Sequence, residues 1–190
     1  MPIAVSACLL GEPCRYDGKS RPCEDVLKLH DACEMVPVCP EVLGGLPVPH
    51  APCEIAAAKR ALRVTDADGV DVTDAFLAGA AKTVELAKEQ GCKLAVLKAK
   101  SPSCGCGLVY DGAFAGELVP GYGVAARALR CLLYTSEQPD LGRRFHMEAL
   151  LDVGQHGGAE QGHVGEANEQ AGIVVLVQGA QEARRAREVG

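Results

Sequence analysis

Residues 2–10 read PIAVSACLL, a nearly continuous apolar run that is followed by the loop-forming residues Gly11 and Pro13. A run of this kind is typical of a β-strand that is buried on both faces of a sheet. Two further runs, Met35–Val38 and Lys93–Leu97, have the same character, and helix-like segments separate the three. The alternation predicts an α/β fold with a Rossmann-like, open and mostly parallel sheet and helices on both of its faces.

Helices are predicted from the spacing of apolar residues and from the residues at helix ends. Pro22–Cys33 has a proline at its start, acidic residues in its first turn and apolar residues on one face, all of which favour a helix. Thr73 is expected to cap a helix that runs to Gln90. Cys53–Ala61 and Gly123–Arg130 are the other expected helices.

The segments between these elements carry turn and loop signals. Pro40–Pro52 is rich in glycine and proline and is expected to be a long loop rather than a helix. Leu62–Val72 is predicted to form a hairpin with an Asp-Gly pair at its turn. Ser101–Gly107 is expected to be a tight loop, and a short strand is expected at Leu108–Tyr110.

Three cysteines follow the three predicted buried strands. Cys8 lies at the end of the first run, Cys39 comes directly after the second, and Cys104 follows the third within a few residues. Because the carboxyl ends of parallel strands face one crevice, where the ligand of such a sheet binds, we expect the three thiols to converge. Soft thiolates suit a soft metal or an iron–sulfur cluster. Three such ligands would leave one corner of a four-iron cluster open for chemistry.

The composition excludes several classes of function. The chain has 190 residues and a formal net charge of −6, so its length indicates one domain and no global basic field indicates a nucleic-acid partner. No apolar stretch is long enough for a membrane span and the N-terminus lacks the pattern of an export signal, which predicts a cytoplasmic protein. Ten cysteines in such a chain favour metal binding or thiol chemistry over a disulfide framework.

The sequence changes character near Arg130. Residues 1–130 contain eight lysines, nine cysteines and one glutamine, whereas residues 131–190 contain no lysine, one cysteine and six glutamines. The junction Cys131–Ser136 (CLLYTS) is what the end of a transposon adaptor used in sequencing libraries would encode. We interpret residues 1–130 as an α/β domain truncated at its C-terminal edge, and residues 131–190 as a chimeric or non-native tail. A genuine glutamine-rich extension is the alternative. Within the tail, Ile173–Val177 has a strand-like pattern.

The loop Ser101–Gly107 (SPSCGCG) concentrates groups that can bind a ligand. Its proline and glycines force a sharp backbone, so that amides and the Cys104 thiolate can approach a ligand closely. Ser101 and Ser103 add hydroxyls at the same place. This concentration favours a functional loop over a structural turn. Cys106 is either a further ligand or a residue that fills a small site.

Further candidate groups lie in the first loop and directly beyond the second strand. Glu41 lies two positions after Cys39, and it is either a solvated loop acid or a general base that activates water. We favour the general base. In the first loop, Arg15 can bind a polar or anionic edge of a substrate and Tyr16 can stack on a planar ring. The alternative is that these two residues belong to an ordinary salt-bridged turn.

Four segments of the chain together resemble one family. They are similar, in the same order, to motifs of a widespread bacterial family that includes the iron–sulfur-dependent thiouracil desulfidases. The segments are SACLLGEPCRYDG (Ser6–Gly18), VCPEVLGGLP (Val38–Pro47), DGVDVTDAFLAGA (Asp68–Ala80) and LKAKSPSCGCGLVYDGAF (Leu97–Phe114). The resemblance extends from Ile3 to the region of Arg130.

The resemblance implies a cofactor, a reaction and a set of site residues. It implies a [4Fe-4S] cluster, supplied by the iron–sulfur assembly machinery, whose iron without a cysteine ligand binds the sulfur of the substrate. It implies hydrolysis of a C–S bond without net redox change, which converts 2-thiouracil, or 2-thiouridine or 4-thiouridine as nucleoside or in tRNA, to the oxo compound and sulfide. The implied residues are Cys8, Cys39 and Cys104 as cluster ligands and Glu41 as base, with Ser101 and Cys14 assisting. From the residues themselves, Arg15, Tyr16 and Ser103 are expected to contact the substrate.

Other functions compete with this one. A non-enzymatic electron-transfer or sensor protein would close its cluster with a fourth ligand, either Cys14 or Cys106. A zinc-binding protein is disfavoured because paired Cys-x-x-Cys knuckles are absent from the sequence. Because the chain has no strong basic patch and lacks the additional domain of some relatives, we favour the free base over tRNA as substrate.

Overall fold

The computed structural model describes residues 1–56, 62–135 and 173–177. The strands are β1 (Pro2–Ser6), β2 (Glu34–Val38), β3 (Cys53–Ala56), β4 (Arg63–Asp66), β5 (Leu94–Lys98), β6 (Cys106–Tyr110), β7 (Leu118–Tyr122) and β8 (Ile173–Val177). The helices are α1 (Glu24–Lys28), α2 (Pro40–Leu43), α3 (Thr73–Glu89) and α4 (Val124–Thr135). Of the helices described, none is long and apolar enough to cross a membrane.

A four-stranded sheet in the order β2-β1-β5-β8 forms the centre of the fold. β1 pairs in parallel with β2 and with β5, and β8 pairs antiparallel with β5. The prediction of a mostly parallel α/β sheet is therefore confirmed. The two smaller sheets are hairpin-like pairs, β3 with β4 and β6 with β7.

Alternate residues of the central strands are buried against helices on opposite faces of the sheet. On one face, Ala4 and Leu97 pack in a cluster with Leu129 of α4, to which α3 also contributes. On the other face, Val5 packs in a cluster with Val26 of α1. Each fully buried Val or Leu contributes roughly 1.5–3 kcal/mol to the free energy of folding. This two-sided burial explains why the strand runs are apolar at nearly every position.

Two predicted elements are shorter in the structure than the sequence patterns indicate. β1 ends at Ser6, and Ala7–Leu10 forms a 3-10 turn whose carbonyls accept hydrogen bonds from the amides of the following loop. The helix expected over Pro22–Cys33 consists of α1 and a 3-10 turn at Leu29–Asp31. In both cases the apolar pattern continues into the turn because the turn residues are packed against the same core.

Two predictions for the middle of the chain are wrong. Cys53–Ala56 is not helical but pairs with β4 as strand β3, and residues 57–61 lie outside the described residues. Pairing with another strand here overrides the helical tendency of the alanines. Pro40–Pro52 is not entirely a loop, because its first four residues form α2. Pro40 stands at the first helical position, where its fixed φ favours a helix.

The region before α3 is predicted in part. Thr73 is the first residue of α3 rather than its cap, and Asp71 instead accepts a hydrogen bond from the Thr73 amide. The turn expected between Leu62 and Val72 is present, since the Gly69 amide donates to the carbonyl of Asp66. The strand expected at Leu108–Tyr110 begins earlier, at Cys106, within the segment expected to be a loop.

Candidate active site

The three cysteines that follow the strand runs lie at one edge of the central sheet. Cys8 is on the turn after β1, Cys39 lies between β2 and α2, and Cys104 lies in the loop between β5 and β6. Ser6 is opposite Val38 in the parallel register, so the first two cysteines leave the sheet side by side. The structure thus places the three predicted ligands beyond the carboxyl ends of neighbouring strands.

The thiols are close enough to influence one another's acidity. Burial is the main cause that raises the pKa of Cys104, and a hydrogen bond from Ser6 acts in the opposite direction. The charges of Cys8 and Cys39 also raise the pKa of Cys104. Ser6, which also accepts a hydrogen bond of 2.9 Å from the Lys98 amide, had no role in the sequence analysis, although it is the first residue of the SACLLG motif.

Cys14 contacts two of the predicted cluster ligands. Its thiol lies beside the sulfurs of Cys8 and Cys39 and can donate its one proton to either, which lowers the pKa of both and raises the pKa of Cys14. The Cys39 thiol also donates a hydrogen bond of 3.5 Å to the carbonyl oxygen of Cys14. This arrangement favours ionisation of Cys8 or Cys39 over ionisation of Cys14. The thiolate is the form of cysteine that binds iron.

Positive charges and backbone amides add to this effect. Besides Cys14, the charges of Lys98 and Arg15 lower the pKa of Cys8. Amides at the start of α2 lower the pKa of Cys39 in addition to Cys14. The pKa of Lys98 is itself lowered, mainly by burial. Cys8 and Cys39 therefore lie in surroundings that stabilise negative charge, whereas burial acts against the thiolate at Cys104.

The loop that carries Cys104 is fixed to the start of α4. The hydroxyl oxygen of Ser101 accepts hydrogen bonds of 3.1 Å from the amides of Ser103 and Cys104. The carbonyls of Pro102 and Ser103 accept hydrogen bonds from the first amides of α4. These bonds use amides that have no partner within the helix. Ser101 therefore shapes the backbone around the Cys104 ligand.

Glu41 lies in the first turn of α2 and joins two other loops. Its Oε1 accepts a hydrogen bond of 2.9 Å from the hydroxyl of Ser103. Its Oε2 is 3.2 Å from Nε2 of His50, in a contact between a carboxylate and an imidazole whose side chains are 14% and 8% exposed. The Glu41 carboxylate is therefore held on both of its oxygens and shielded from most of the solvent.

His50 is a site residue to which the sequence analysis assigned no role. Its Nδ1 is 2.8 Å from the carbonyl oxygen of Pro47, and its amide donates to the carbonyl of Tyr16. The contact with Glu41 raises the pKa of His50 above its usual value. The one signal in the sequence was a lone titratable residue among prolines, soon after the Cys-Pro-Glu segment.

A close contact between two helices sets the position of Glu41. Gly44, at the end of α2, and Gly79, within α3, face each other so closely that a Cβ atom on Gly79 would overlap the carbonyl oxygen of Pro40. The ammonium group of Lys82 also donates a hydrogen bond of 2.9 Å to the carbonyl of Leu43. Gly44 thus allows α2 to pack closely against α3.

Arg15 and Tyr16 form the salt-bridged turn that was the alternative to a substrate contact, and they also lie beside the site. Arg15 pairs with Asp17 at 3.1 Å, and its guanidinium is 5.8 Å from the centre of the Tyr16 ring. Tyr16 is 41% exposed, and its ring meets the His50 ring edge-on at 6.5 Å between centres. A partly exposed aromatic residue thus adjoins the Glu41–His50 pair.

Cys106 belongs to the core beside the site. It lies opposite Tyr122 in the β6–β7 pair and is packed among buried residues of α4. Burial raises its pKa to about 11, and the charge that opposes this effect is that of Arg130. The environment of Cys106 is therefore that of a packed thiol.

The donor set suits an iron–sulfur cluster better than a single metal ion. In the part of the chain that the structure describes, no three His, Cys, Asp or Glu side chains are close enough to hold a single metal ion. The ligands of an iron–sulfur cluster bind separate iron atoms and therefore stand farther apart than the ligands of one zinc ion. Three soft thiols from three loops, two of them in surroundings that favour the thiolate, fit a cluster.

Comparisons with known proteins give three similarities. A family model described as 2-thiouracil desulfurase matches residues 3–136, which include the three cysteines and Glu41. The uncharacterised protein YbbK of Bacillus subtilis (strain 168) is 41% identical over 134 residues, which cover 67% of this chain and 89% of YbbK. A solved structure of the [4Fe-4S]-dependent thiouracil desulfidase TudS is 41% identical, with a TM-score of 0.60 and coverage of 69% of this chain and 85% of the other.

Proposed function

Because the chain belongs to the 2-thiouracil desulfurase family, we propose that it is a [4Fe-4S]-dependent desulfidase that converts 2-thiouracil to uracil. The resemblance stated from the sequence is confirmed by the family match and by the similarity to TudS. In the proposed reaction the C=S bond of the substrate becomes C=O. Water supplies the oxygen, and the sulfur leaves as sulfide with two protons, without net oxidation or reduction.

The observation that carries the proposal is the position of the Glu41 carboxylate beside the three convergent cysteines. Cys8, Cys39 and Cys104 would hold the cluster, which supplies a soft Lewis acid for the substrate sulfur when it is bound. Glu41 is linked through Ser103 to the same loop as Cys104. A carboxylate fixed at this place can take a proton from the attacking water.

The other predicted residues have supporting roles in this proposal. Ser101 fixes the amides of the Cys104 loop, and Ser103 orients Glu41. Cys14 lowers the pKa of Cys8 and of Cys39 and so favours the thiolate form that binds iron. Tyr16 offers an exposed ring face for a planar pyrimidine. The Arg15 guanidinium beside that ring would contact a polar edge of the substrate.

The free base is the substrate that we favour, and thiolated nucleosides and tRNA are the alternatives for the test. All ten cysteines are free thiols, which supports a reducing compartment. We place the enzyme in the cytoplasm, where the iron–sulfur assembly machinery would be its partner.

We also propose that residues 1–130 are the functional domain and residues 131–190 a chimeric or non-native tail, whose strand β8 covers the edge of β5. The change in lysine and glutamine content near residue 130 supports this division, and the family match ends six residues later, at residue 136. Sequencing the source gene with long reads checks it. A reading frame that continues unchanged through Cys131 in the source DNA would contradict the proposal.

An electron-transfer function is the second candidate, and the contacts of Cys14 favour it. A thiol that touches both Cys8 and Cys39 could serve as a fourth ligand and close the cluster. A closed cluster would leave no iron for a substrate sulfur. The number of cysteines needed to hold the cluster therefore distinguishes the two functions.

The test is anaerobic reconstitution of the full chain with iron and sulfide, followed by incubation with 2-thiouracil. We expect about four irons per chain, release of sulfide and formation of uracil in equal amounts. The same assay with thiouridine and thiolated tRNA determines substrate size. A protein that holds its cluster but releases no sulfide from any of these substrates would favour the electron-transfer function. A folded protein that binds no iron would contradict both.

A further inference from the structure

The imidazole of His50 stands between a carbonyl oxygen and a carboxylate. Its Nδ1 is 2.8 Å from the carbonyl oxygen of Pro47, and a carbonyl oxygen can only accept a hydrogen bond. Nδ1 must therefore carry a proton. The other nitrogen, Nε2, is 3.2 Å from Oε2 of Glu41, and it has no hydrogen-bond partner among the described residues. Two lone pairs would repel each other at this distance, so the contact is stabilising as an ion pair, with Nε2 protonated and the carboxylate ionised.

We propose that His50 is a positioning residue, whose protonated Nε2 holds Oε2 of Glu41 while the Ser103 hydroxyl holds Oε1. This proposal rests on the desulfidase function proposed above, because it assigns a role to His50 in the reaction that Glu41 serves. With both oxygens held, the carboxylate keeps one orientation relative to the cysteines. Each oxygen retains a further lone pair for a water molecule.

The surroundings of His50 make the contact with Glu41 its main interaction. The His50 side chain is 8% exposed, and in such a shielded place an ion pair is weakened less by solvent than at the surface. The groups that face it are Glu41 from α2, the more distant Cys39 thiol, and the ring edge of Tyr16. The acidic groups among them favour the protonated imidazole.

Fixing Glu41 has a kinetic purpose. A glutamate side chain loses rotamer entropy when it is ordered, and the contacts with His50 and Ser103 order it before substrate binds. A base that is already oriented contributes to the rate of the chemical step rather than to substrate affinity. Loss of the His50 contact should therefore lower kcat with little change in KM.

Two substitutions separate the two contacts of His50. In His50→Gln, the side-chain amide can take the place of Nε2 and donate to Glu41, but the contact with Pro47 is lost. In His50→Asn, the amide can take the place of Nδ1 and donate to Pro47, but it does not reach Glu41. Matched controls are His30→Gln and His30→Asn, because His30 is an exposed histidine of the same chain.

The experiment measures kcat and KM for 2-thiouracil, together with iron content and thermal stability, for all four variants and the unaltered enzyme. We expect kcat of His50→Asn to fall by about 10-fold or more. His50→Gln should keep most of the activity, and KM and iron content should not change. The reverse order, with Asn active and Gln inactive, would mean that His50 only anchors the Pro47 loop and would overturn the proposal. So would equal kcat values in the two variants.

A second measurement does not depend on turnover. The 15N NMR shifts of the His50 ring, in protein labelled at histidine, report which ring nitrogens carry protons. We expect protons on both nitrogens at neutral pH and loss of the Nε2 proton in Glu41→Gln. A ring that is unchanged in Glu41→Gln would overturn the proposed contact. Failure of the unaltered enzyme to release sulfide would instead contradict the proposed function, whatever the state of the ring.

Discussion

Ser103 donates a hydrogen bond of 2.9 Å to Glu41 across 62 positions of the sequence. The bond joins the loop after β5 to the first turn of α2, which are the two segments that carry Cys104 and Cys39. The candidate base and two of the three candidate cluster ligands are thus parts of one connected unit. Because Glu41 is not itself a candidate ligand, a substitution of Glu41 can be tested with the iron content as a check on the cluster site.

Glu41→Gln should remove the base and keep the cluster. The substitution preserves the size of the side chain but cannot accept a proton from water, so we expect kcat for desulfidation to fall by about 10²–10⁴-fold. Iron content and visible absorbance should match those of the unaltered enzyme. Glu85→Gln, at an exposed position of α3, is the control. Full activity in Glu41→Gln would exclude this residue as the base.

Serine substitutions of Cys8, Cys39 and Cys104 should each prevent stable binding of the cluster. A serine hydroxyl is a poor replacement for a soft thiolate, and we expect iron and acid-labile sulfide to fall well below the content of the unaltered protein. Cys33→Ser, at a half-buried position on the other side of the sheet from α3, is the control. If one of the three variants retains its full iron content, that cysteine is not a ligand.

Cys14→Ala should keep the cluster, because the proposed site needs three cysteines. We expect unchanged iron content and a slower reconstitution at neutral pH, since the loss of the Cys14 hydrogen bonds returns the pKa values of Cys8 and Cys39 towards their usual range. Reconstitution rates at increasing pH should converge with those of the unaltered protein. Loss of a quarter or more of the iron would instead indicate a fourth ligand and favour electron transfer.

Gly79→Ala should destabilise the protein and disturb the site. Alanine in place of glycine within a helix ordinarily stabilises by about 0.5–1 kcal/mol. Here the added Cβ overlaps the Pro40 carbonyl, and we expect a loss of about 1–3 kcal/mol in the free energy of unfolding. Since α2 carries Glu41, kcat should fall as well. Urea denaturation and sulfide release measure the two effects, and Ala78→Gly, at an exposed neighbouring position, gives the opposite exchange without the overlap.

The stabilising effect of His50 should depend on pH. Contact with Glu41 raises its pKa in the folded protein above 6.5. The protonated ring therefore stabilises the fold fully below pH 6.5, and this contribution is lost as pH rises through the raised pKa. We expect the difference in Tm between the unaltered protein and His50→Leu to be largest in mildly acidic buffer and to shrink in alkaline buffer. A difference that is constant with pH would contradict the charged contact.

The sheet and the positions of the candidate cysteine ligands could be predicted from the sequence because they depend on local patterns. The runs around Val5, Val36 and Val96 are apolar at nearly every position, and each is followed by a cysteine within a few residues. The sequence pattern gave a wrong prediction at Cys53–Ala56, where a helix was expected but pairing with β4 decides the structure. Both strands of this pair are short and contain few apolar residues, so their sequences show only a weak strand pattern.

The connections within the site could not be predicted in the same way. The Ser103–Glu41 bond and the Glu41–His50 contact join residues from different loops, and neither produces a periodic pattern. Gly44 follows directly after α2, but its neighbour Gly79 lies in a helix whose sequence gives no sign of the contact. Such contacts become visible only when the packing of the elements is known.

The attachment of the Cys104 loop to the start of α4 determines when the site can form during protein synthesis. Pro102 and Ser103 give their carbonyls to amides of Val124, Ala125 and Ala126, which leave the ribosome about twenty residues later. Cys8 and Cys39 are synthesised well before that, without the surroundings that hold the third thiol. Binding of a cluster by all three cysteines would therefore be a late step, and a nascent chain that stalls before α4 would carry its first two thiols without the contacts that hold the third.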